Sequence, residues 1–550
     1  MGKYRLKGDI ALKYERFGVM LDCSRNAVMK VDEVKRMIDC LQKMGYDTLE
    51  LYTEDTYEIE SEPYFGYMRG RYTGAELKEI DAYAKTRGVE LIPCIQTLAH
   101  LSTLFNHSEY AKIHDTAGIL LIDEPKTYEL IDKMFASLAK NFTSRTVNIG
   151  MDEAHMVGRG RFMDKFGVQD RFAIVLRHLN KVLEIAKKYG FTAHMWSDTF
   201  FRIVTGGAYH IEGDFRLPEE IVNQIPDVEL VFWDYYHKTK QGYDENLTAH
   251  KRIGKPLWFA GGAWTWNGFA PLNDFTLKTM KPAMQSVREL AVKNVLIAVW
   301  GNDGKECSYY SVLPSLYAIR QYANGNFDEE SIKRGFQETF GVDYDTFTAL
   351  DLPNKMDKPF IYVDGQELQQ NPCKLLLYSD PFMGIKDDLY ESIPKIPYAS
   401  YARMLRKKGK TAGEFSYLFD VLAKLCAALA IKADLGIRTR RAYKDKDKTA
   451  LRALLGDYTK AANRVKAFHQ VFFELWHKEN KPQGWEVHDY RLGGLMARLL
   501  TCRNRLQAYC DGKTDKIDEL DDELLPIDPK MHMQMNYHLK AITFGAVSDK

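Results

Sequence analysis

The sequence predicts an α/β protein in which a (β/α)8 barrel is followed by a mostly helical C-terminal domain. Three observations predict this fold. A unit of amphipathic helix, glycine and short β-rich run recurs, and eight strand candidates alternate with helical segments over roughly residues 10–325. After about residue 330 the strand-like runs fade and long helical patterns take over. We therefore place the barrel in residues 1–330 and the helical domain in residues 331–550.

The repeated unit is clearest at three places. In each, a glycine (Gly45, Gly88 or Gly190) stands where a helix would end in a left-handed residue, a conformation that glycine adopts without strain. The three units are "CLQKMGYDTLELY" (40–52), "AYAKTRGVELIPC" (82–94) and "EIAKKYGFTAHMW" (184–196). Before the first glycine, apolar residues fall on one helical face: Val31, Val34, Ile38, Leu41 and Met44.

Five further apolar runs complete the series of strands. They are "GVMLDC" (18–23), "TVNIG" (146–150), "VELVFW" (228–233), "PLWFAGG" (256–262) and "NVLIAVW" (294–300). Their β-branched and aromatic content is typical of strands buried on both faces. Eight βα units are the number that closes a barrel. The alternative is a doubly wound open sheet, but no G-x-G-x-x-G opens any of the helices.

The C-terminal region shows long helical patterns at 414–438, 448–478 and 490–511, with no flexible linker before them. The acidic "DELDDELLP" (518–526) is interpreted as a solvated helix end. The polar break "ENKPQGWEVHDYRLGG" (479–494) has two interpretations. It is either a plain interhelical loop or a segment that reaches the barrel mouth of its own or a neighbouring subunit. The helical domain is also a candidate homodimer interface.

Composition excludes several classes of protein. The chain has 550 residues, 45% hydrophobic and 27% charged, and a formal net charge of +1 with dispersed Lys and Arg, which gives no electrostatic case for nucleic acid. The eight cysteines are scattered and are expected to be reduced thiols. The N-terminus lacks the apolar core of a secretory signal, and the most apolar stretch (418–437) carries four charged residues. We therefore expect no membrane contact and a cytoplasmic protein.

Polar and aromatic residues follow the predicted strands, at the end where barrels of this type carry their active sites. In strand order they are Asp22 and Arg25; Glu54 and Asp55; Gln96 and His100; Asp152, Glu153 and His155; Trp196 and Asp198; Trp233, Asp234, Tyr235 and Tyr236; Trp264, Trp266 and Asn267; Trp300, Asn302, Asp303 and Glu306. Six of the eight tryptophans are expected near this rim, with core wall as the alternative for Trp258 and Trp300. Aromatic walls beside carboxylates suit a sugar ring and favour a glycosidase over a dehydrogenase or kinase.

The adjacent acids Asp152 and Glu153 need an explanation of their own. A helix N-terminus is one interpretation, and a metal site with His155 is another, although the spacing is not of the H-E-x-x-H type. A glycosidase normally places two carboxylates on opposite sides of the bond that it breaks. Sequence neighbours cannot easily do so, which points to some other group as the nucleophile.

Four segments resemble glycoside hydrolase family 20, the β-N-acetylhexosaminidases. They are "GVMLDCSRNAV" (18–28), "LELYTEDTYEI" (49–59), "GVELIPCIQTLAHL" (88–101) and "VNIGMDEAHMVG" (147–158), of which the last is the most specific. Strand 2 departs from the histidine and paired aspartates of many members. Strand 8 has Asn302 and Asp303 where others place a glutamate. We also expect the barrel to come first, without the small α/β domain that many members carry in front of it.

The resemblance implies an exo-acting β-N-acetylhexosaminidase that releases terminal β-linked GlcNAc or GalNAc with retention. In this family the substrate's 2-acetamido group attacks the anomeric carbon. By carry-over Glu153 is the general acid and base, and Asp152 orients the acetamido group. The implied substrate-binding residues are Arg25, Glu54, Asp55, His100, Trp196, Trp233, Tyr235, Tyr236, Trp266, Trp300 and Asp303, with Asn302 as the competitor of Asp303.

The implied partner is a small oligosaccharide or glycoconjugate, and no metal or organic cofactor is implied. A sugar-binding protein that has lost catalysis is the alternative from another class. The presence of both Asp152 and Glu153 argues against it.

Overall fold

The computed structural model contains a closed barrel of eight parallel strands in chain order, so the predicted fold class is confirmed. The structure describes residues 12–266, 268–356, 362–363, 366–367, 371–384, 387, 391 and 395–525. The strands are β1 (Arg16–Asp22), β2 (Thr48–Thr53), β3 (Glu90–Ile95), β4 (Thr146–Asn148), β5 (Thr192–Trp196), β6 (Glu229–Trp233), β7 (Leu257–Gly262) and β8 (Asn294–Val299). β1 pairs with both β2 and β8, which closes the sheet.

Every predicted strand overlaps an observed one, and β4 is the shortest. The sequence predicts a strand over 146–150, but β4 ends at Asn148. Gly150 and Met151 adopt left-handed backbone angles, with φ of 70° and 68°, and such residues cannot continue an extended strand. The early end of β4 therefore places Asp152 and Glu153 in a turn above the barrel.

Helices separate the strands and cover the barrel. They are α1 (Val31–Met44), α2 (Gly74–Thr86), α3 (Pro125–Asn141), α4 (Arg161–Phe166), α5 (Arg171–Lys188), α6 (Asp198–Thr205), α7 (Glu219–Val222), α8 (Lys240–Lys251), α9 (Asn273–Glu289) and α10 (Leu313–Ala323). α1 buries Val34, Ile38, Leu41 and Met44 against the sheet and ends at Gly45, whose φ of 84° is left-handed as predicted.

A buried polar layer crosses the interior of the barrel. The imidazole of His194 lies 2.7 Å from the carboxylate of Glu50, and Asn148 donates to the same carboxylate. Trp258 stacks on His194 with ring centroids 4.5 Å apart and donates its Nε1–H to Glu229. Trp258 is therefore part of the core, so of its two interpretations the core wall is confirmed and the place at the rim is wrong. Trp258 is the second residue of β7, so it lies near the amino end of the strand and cannot reach the loops at the carboxyl ends.

The region after the barrel is mostly helical. It contains α11 (Glu329–Phe340), α12 (Tyr344–Phe347), α13 (Pro372–Tyr378), α14 (Tyr398–Gly409), α15 (Ser416–Lys432), α16 (Leu435–Lys444), α17 (Lys448–Glu479), α18 (Trp485–Cys510) and α19 (Asp518–Asp521), with a two-stranded ladder of β9 (Tyr362–Val363) and β10 (Gln366–Glu367). The single helix expected over 414–438 is broken at Ala433 and Asp434.

The polar break between α17 and α18 is shorter than expected and contacts the barrel mouth of its own chain. Only 480–484 is non-helical. The Lys481 N–H donates to the carbonyl of Val28, and Asn26 donates its side-chain amide to the carbonyl of Gly484 at 3.0 Å. Trp485 itself lies in the helical region, where its ring packs against Phe472. The helical region thus supports the loop that follows β1.

Two further features concern the class of protein. All eight cysteines are free and buried. Among the described residues, no helix combines the length and the apolar character needed to cross a bilayer.

Candidate active site

A cavity of about 120 Å³ opens at the carboxyl ends of the barrel strands. Its walls come from β1, β4, β5, β6, β7 and β8 and the loops that follow them. The lining residues are Arg25, Asp152, Glu153, Trp196, Trp233, Tyr235, Tyr236, Trp266, Trp300 and Asn302. The barrel thus brings together side chains that are far apart in sequence. We call this cavity the aromatic pocket.

The turn that carries the two acids is held in a strained conformation. Met151 and Glu153 have left-handed φ values of 68° and 52°, which non-glycine residues adopt at a cost of about 1–3 kcal/mol each. The Thr199 hydroxyl donates to the carbonyl of Met151 at 2.6 Å, and the Glu153 N–H donates to Asp198 at 3.1 Å. These bonds fix the turn, so that the side chains of Asp152 and Glu153 point in different directions.

Gly150 allows this turn to approach strand β3. A Cβ atom at Gly150 would lie 2.2 Å from Oε1 of Gln96, too close for any real contact. Its φ of 70° is also left-handed. The absent side chain thus leaves room for Gln96 beside Asp152.

Asp152 is buried and bound on both carboxylate oxygens. Gln96 donates its amide to Oδ1 at 2.7 Å, and His100 Nε2 lies 3.1 Å from Oδ2. Burial favours the neutral acid, but the positive charge of His100 and the hydrogen bond from Gln96 outweigh it and hold the pKa of Asp152 below its ordinary value. Asp152 is therefore a fixed carboxylate.

His100 is the positive partner of this carboxylate. Burial opposes its protonation, yet the negative charge of Asp152 at 3.1 Å raises the pKa of the imidazole to about 9. The backbone of His100 is itself left-handed, with φ of 59°. The pair is thus a partly buried ion pair at neutral pH.

Glu153 differs from its neighbour in exposure. Its side chain is 42% exposed, whereas that of Asp152 is 11% exposed. The nearest cationic group is His100, with Nε2 3.7 Å from the carboxylate. The side chain of Glu153 thus reaches open space at the edge of the aromatic pocket, where it can exchange a proton with a bound molecule.

Arg25 forms the opposite side of the pocket. Its Nη1 lies 3.4 Å from Asp22 Oδ2 and its Nε lies 3.9 Å from Glu54 Oε1. The guanidinium stands over the ring of Trp300, 4.5 Å from the centroid. Asp22 also accepts the backbone N–H groups of Ser24 and Arg25 at 3.0 Å each, so it fixes the loop that carries the arginine. Arg25 is thus presented with its fork held in place.

The strand-2 acids have different surroundings. Glu54 accepts hydrogen bonds from Ser24 and Tyr52, each at 2.9 Å, and burial raises its pKa. Asp55 accepts from Thr103 at 2.9 Å and pairs with Arg69 at 3.3 Å. Glu54 therefore lies behind the pocket in contact with Arg25, whereas the structure does not bring the Asp55 carboxylate to the pocket.

The aromatic residues form a connected wall. Trp300 donates its Nε1–H to the hydroxyl of Tyr235 at 3.2 Å. The rings of Trp233 and Tyr235 lie nearly parallel, with centroids 5.5 Å apart, and Trp266 meets Tyr235 edge-on at 5.4 Å. Both Tyr235 and Tyr236 line the pocket; the first is buried and the second is half-exposed.

Trp264 belongs behind this wall rather than to it. It stacks against Trp266 at 4.0 Å and donates its Nε1–H to the carbonyl of Tyr235. Trp264 is expected at the rim, but in the structure it lies behind the pocket wall and supports it. The sequence alone does not distinguish Trp266, which lines the pocket, from Trp264, which supports it from behind.

The loop after β8 contributes Asn302. Its side chain lines the pocket, and its Oδ1 is buried without a hydrogen-bond partner among the described residues. The side chain of Asp303 and the whole of Asn267 lie outside what the structure describes. Glu306, further along the loop, is buried and pairs with Lys374 at 2.9 Å. It is thus a link to the helical region.

Gln96 and Asp198 stand beside the acid pair without having been assigned a role from the sequence. Burial and the charge of Asp152 raise the pKa of the Asp198 carboxyl to about 7. Both residues occur at predicted strand ends, and this position is the only feature of the sequence that could have identified them as site residues. Their partners, the side chain of Asp152 and the backbone of Glu153, become visible only in three dimensions.

A metal ion would need ligand atoms at this point. His100, Asp152 and Glu153 offer three within 4.8 Å of one another, whereas His155 is exposed and not in this group. In the structure, Nε2 of His100 lies 3.1 Å from Oδ2 of Asp152 and 3.7 Å from the carboxylate of Glu153. The three residues as arranged form an ion pair and a half-exposed carboxyl group.

Two family models match the chain. The model of the glycosyl hydrolase family 20 catalytic domain matches residues 14–211, and the model of the Glycoside Hydrolase 20C C-terminal domain matches residues 345–539. The first match contains β1 to β5 and the acid pair. The second covers most of the helical region.

Individual proteins are also similar to the chain. Human hexosaminidase D is 23% identical over 347 residues, which is 58% of this chain and 68% of that protein. The β-hexosaminidase of Vibrio furnissii is 28% identical over 26% of this chain and 29% of its own length. Among solved structures, the exo-β-N-acetylglucosaminidase of Vibrio harveyi in complex with N-acetylglucosamine is 16% identical, with a TM-score of 0.45 over 60% of this chain and 58% of that chain.

Proposed function

The chain belongs to glycoside hydrolase family 20, and we propose that it is an exo-acting β-N-acetylhexosaminidase that releases terminal β-linked GlcNAc or GalNAc with retention. One observation carries the proposal. Asp152 is a buried carboxylate fixed by Gln96 and His100, while its neighbour Glu153 is half-exposed, and both line one aromatic pocket. Two adjacent acids with such different surroundings suit two different tasks at one side of a sugar.

Asp152 is proposed to orient the substrate's acetamido group. As a carboxylate it accepts the acetamido N–H, which directs the acetamido carbonyl oxygen at the anomeric carbon. Attack by that oxygen displaces the leaving group and forms an oxazolinium ion, so no enzyme carboxylate bonds to carbon. The fixed negative charge of Asp152 stabilises the positive charge that develops on the acetamido nitrogen.

Glu153 is proposed as the general acid and base. It donates a proton to the glycosidic oxygen as the bond to the anomeric carbon breaks, and later removes a proton from the water that opens the oxazolinium ring. The hydrogen bond from its N–H to Asp198 holds the residue in its left-handed conformation. Retention follows because the anomeric carbon is inverted twice.

The remaining pocket residues are proposed to hold the sugar. Arg25 offers a fork of donors to ring hydroxyls, with Glu54 and Asp22 fixing its direction. Trp300 donates to the Tyr235 hydroxyl, so the proton of that hydroxyl is free to donate into the pocket. The indole faces of Trp196, Trp233 and Trp266 provide apolar walls for a pyranose ring.

The activity is tested with nitrophenyl glycosides. We expect turnover of nitrophenyl β-GlcNAc, of β-GalNAc or of both, and no turnover of the β-glucoside, which lacks the acetamido group. Cleavage of the β-glucoside with neither N-acetyl substrate touched would overturn the proposal. The same assays with a chelator test whether a metal takes part.

The mechanism is tested separately from the activity. Intact-protein mass spectrometry after incubation with a fluorosugar trap should show no glycosyl adduct on the wild-type protein. Asp152→Asn should slow all N-acetyl substrates and weaken binding of a thiazoline analogue of the cyclised intermediate, which the wild type binds tightly. A stable adduct on any Asp or Glu would show that a carboxylate is the nucleophile.

A further inference from the structure

A second cavity, of about 330 Å³, adjoins the aromatic pocket on the far side of Glu153. Only Glu153 is shared between the linings of the two cavities. The other lining residues are Ala154, His155, Val157, Arg159, Arg171, Asp198, Thr199, Arg202, Ile203, Gly206 and Gly207. They come from the loop after β4, from the start of α5 and from α6 with the glycines that follow it. We call this space the arginine cavity.

Positive charge dominates the arginine cavity. Its three arginines face two acids, Glu153 and Asp198. Arg202 lies 3.4 Å from Asp198. Arg159 and Arg171 have no carboxylate within ion-pair distance in the part of the chain that the structure describes. The guanidinium groups of Arg159 and Arg171 repel each other, and a bound anion would reduce this repulsion.

Two of these arginines also carry unused donors. Among the described residues, the buried Nε–H of Arg171 has no hydrogen-bond partner, and the buried Nε of Arg202 is in an ion pair with Asp198 at 3.4 Å but makes no hydrogen bond. Arg171 uses its Nη2 to donate to the carbonyl of His155 at 2.6 Å. Burial and the neighbouring charge of Arg159 hold the pKa of Arg171 below its ordinary value. A buried donor without a partner destabilises a protein, so a bound acceptor would relieve this cost.

The field of these arginines extends to the loop beside Glu153. Burial and then the charge of Arg202 hold the pKa of His155 below its ordinary value, although Glu153 acts in the opposite direction. The guanidinium of Arg202 also stands 6.0 Å from the ring centroid of Trp233, a wall of the aromatic pocket. The two cavities are therefore neighbours, and the positive electrostatic potential lies on the side of the arginine cavity.

The position of this cavity follows from the proposed reaction. Glu153 must touch the glycosidic oxygen, and the sugar that is released from the non-reducing end occupies the aromatic pocket. The atoms attached to the other side of that oxygen must then extend past the Glu153 carboxyl, which is where the arginine cavity lies. Resting on the proposed function, we propose that the arginine cavity is the leaving-group subsite and that it takes a group bearing a carboxylate, sulfate or phosphate.

Arginine suits this task better than other cations. Its planar fork binds the paired oxygens of a carboxylate, sulfate or phosphate through two parallel hydrogen bonds. Arg159 is exposed and lies at the outer side of the lining, whereas Arg171 and Arg202 are partly buried. A negatively charged leaving group would therefore meet Arg159 first and then the buried donors.

The test compares two glycosides that differ only in charge: nitrophenyl β-GlcNAc and the same compound with a ring carboxylate. The measured quantity is the ratio of their kcat/KM values in each protein, so that the intrinsic reactivity of each leaving group cancels between variants. Arg159→Gln should lower the ratio, anionic over neutral, by roughly fivefold at low salt, as loss of one charge in a partly exposed site implies. Arg171→Gln provides the second variant and should lower it further.

The matched control is Arg177→Gln on the same helix as Arg171. Arg177 pairs with Asp123 at 2.9 Å on the surface and does not line either cavity, so its ratio should stay at the wild-type value. GlcNAc β-linked to a uronate, to a sulfated sugar and to a phosphorylated sugar then separates the three anions by kcat/KM.

The outcomes are distinct. A ratio that is the same in the wild type, Arg159→Gln and Arg171→Gln overturns the subsite while the proposed function stands, since the neutral glycoside is still cleaved. If the neutral and the anionic N-acetyl glycosides are both untouched by the wild type, the proposed function has failed, and the subsite with it. A lowered ratio in the two cavity variants and an unchanged one in Arg177→Gln supports the subsite.

Discussion

The two cavities that meet at Glu153 are built in different ways. The aromatic pocket is formed at strand ends, and its charged groups are paired within the protein: Asp152 with His100 and Arg25 with Asp22. Trp300 also donates to Tyr235, whereas Asn302 Oδ1 and Trp196 Nε1 have no hydrogen-bond partner among the described residues. The arginine cavity is formed by a loop and two helices, and it contains charges and donors without partners. The two cavities therefore differ in whether their charges are paired: those of the aromatic pocket are, whereas Arg159 and Arg171 have no carboxylate within ion-pair distance among the described residues.

The two cavities are therefore expected to differ in rigidity. Strands β1, β4 and β8 fix the aromatic pocket through their hydrogen-bonded neighbours, so the pocket suits one sugar held in one orientation. Residues of the loop after β4 can shift more easily than strand residues. Fixed recognition of the released sugar and more adaptable, charge-based recognition of the rest of the substrate are what we expect from such an arrangement.

Glu153→Gln gives the largest expected effect, because both cavities share this side chain. Loss of the general acid should lower kcat/KM by roughly 10³-fold for leaving groups that need protonation, and by much less for dinitrophenyl, which leaves without it. Steady-state kinetics on both substrate types measures the difference. Glu184→Gln, an exposed acid on α5, is the control. An equal loss on both substrate types would contradict the assigned role.

Arg25→Lys tests the aromatic pocket alone. The variant keeps the charge but loses the fork and the stacking on Trp300, so kcat/KM should fall by roughly 10- to 100-fold. The preference for an anionic leaving group should remain, since Arg25 does not line the arginine cavity. Arg87→Lys, which changes a surface pair with Asp39, serves for comparison. A near-normal kcat/KM would remove Arg25 from sugar binding.

The ion pair of His100 and Asp152 gives the smallest expected effect, and it depends on pH. The pKa of His100 is raised in the folded protein to about 9, above its ordinary 6.5. The pair therefore stabilises the fold fully below pH 6.5, and this contribution is lost as the pH rises through about 9. Because the imidazole is partly exposed, we expect a contribution of about 2 kcal/mol.

His100→Asn measures this contribution. Asparagine tolerates the left-handed φ of 59° at this position, so the backbone is not strained further. Denaturant unfolding of both proteins between pH 6 and pH 10 should show free energies of unfolding that converge at high pH. Parallel curves over that range would argue against the ion pair.

The strands and the acid pair could be predicted from the sequence because they depend on local pattern. Apolar runs separated by helices gave all eight strands, and the end of β4 brought Asp152 and Glu153 to the mouth. What could not be predicted depends on contacts across the barrel. The bond from Gln96 to Asp152 spans 56 positions, and no periodicity records it.

The tryptophans show the same limit. Trp258 and Trp264 are tryptophans like those of the pocket. However, Trp258 lies inside the barrel and Trp264 supports Trp266. The direction of a side chain at a strand end depends on the twist and stagger of the closed sheet. The arginine cavity escaped for a related reason: Arg159, Arg171 and Arg202 come from three separate segments.

Gly484 fits against Asn26 so closely that a Cβ atom there would lie 1.9 Å from the Asn26 carbonyl oxygen. Asn26 is the next residue after Arg25, and the Lys481 N–H bonds to Val28 two residues further on. A barrel transplanted without residues 480–484 would keep both acids of the turn and lose the support of its sugar-side arginine. For protein engineering, the helical region is therefore part of the smallest unit that can be moved intact.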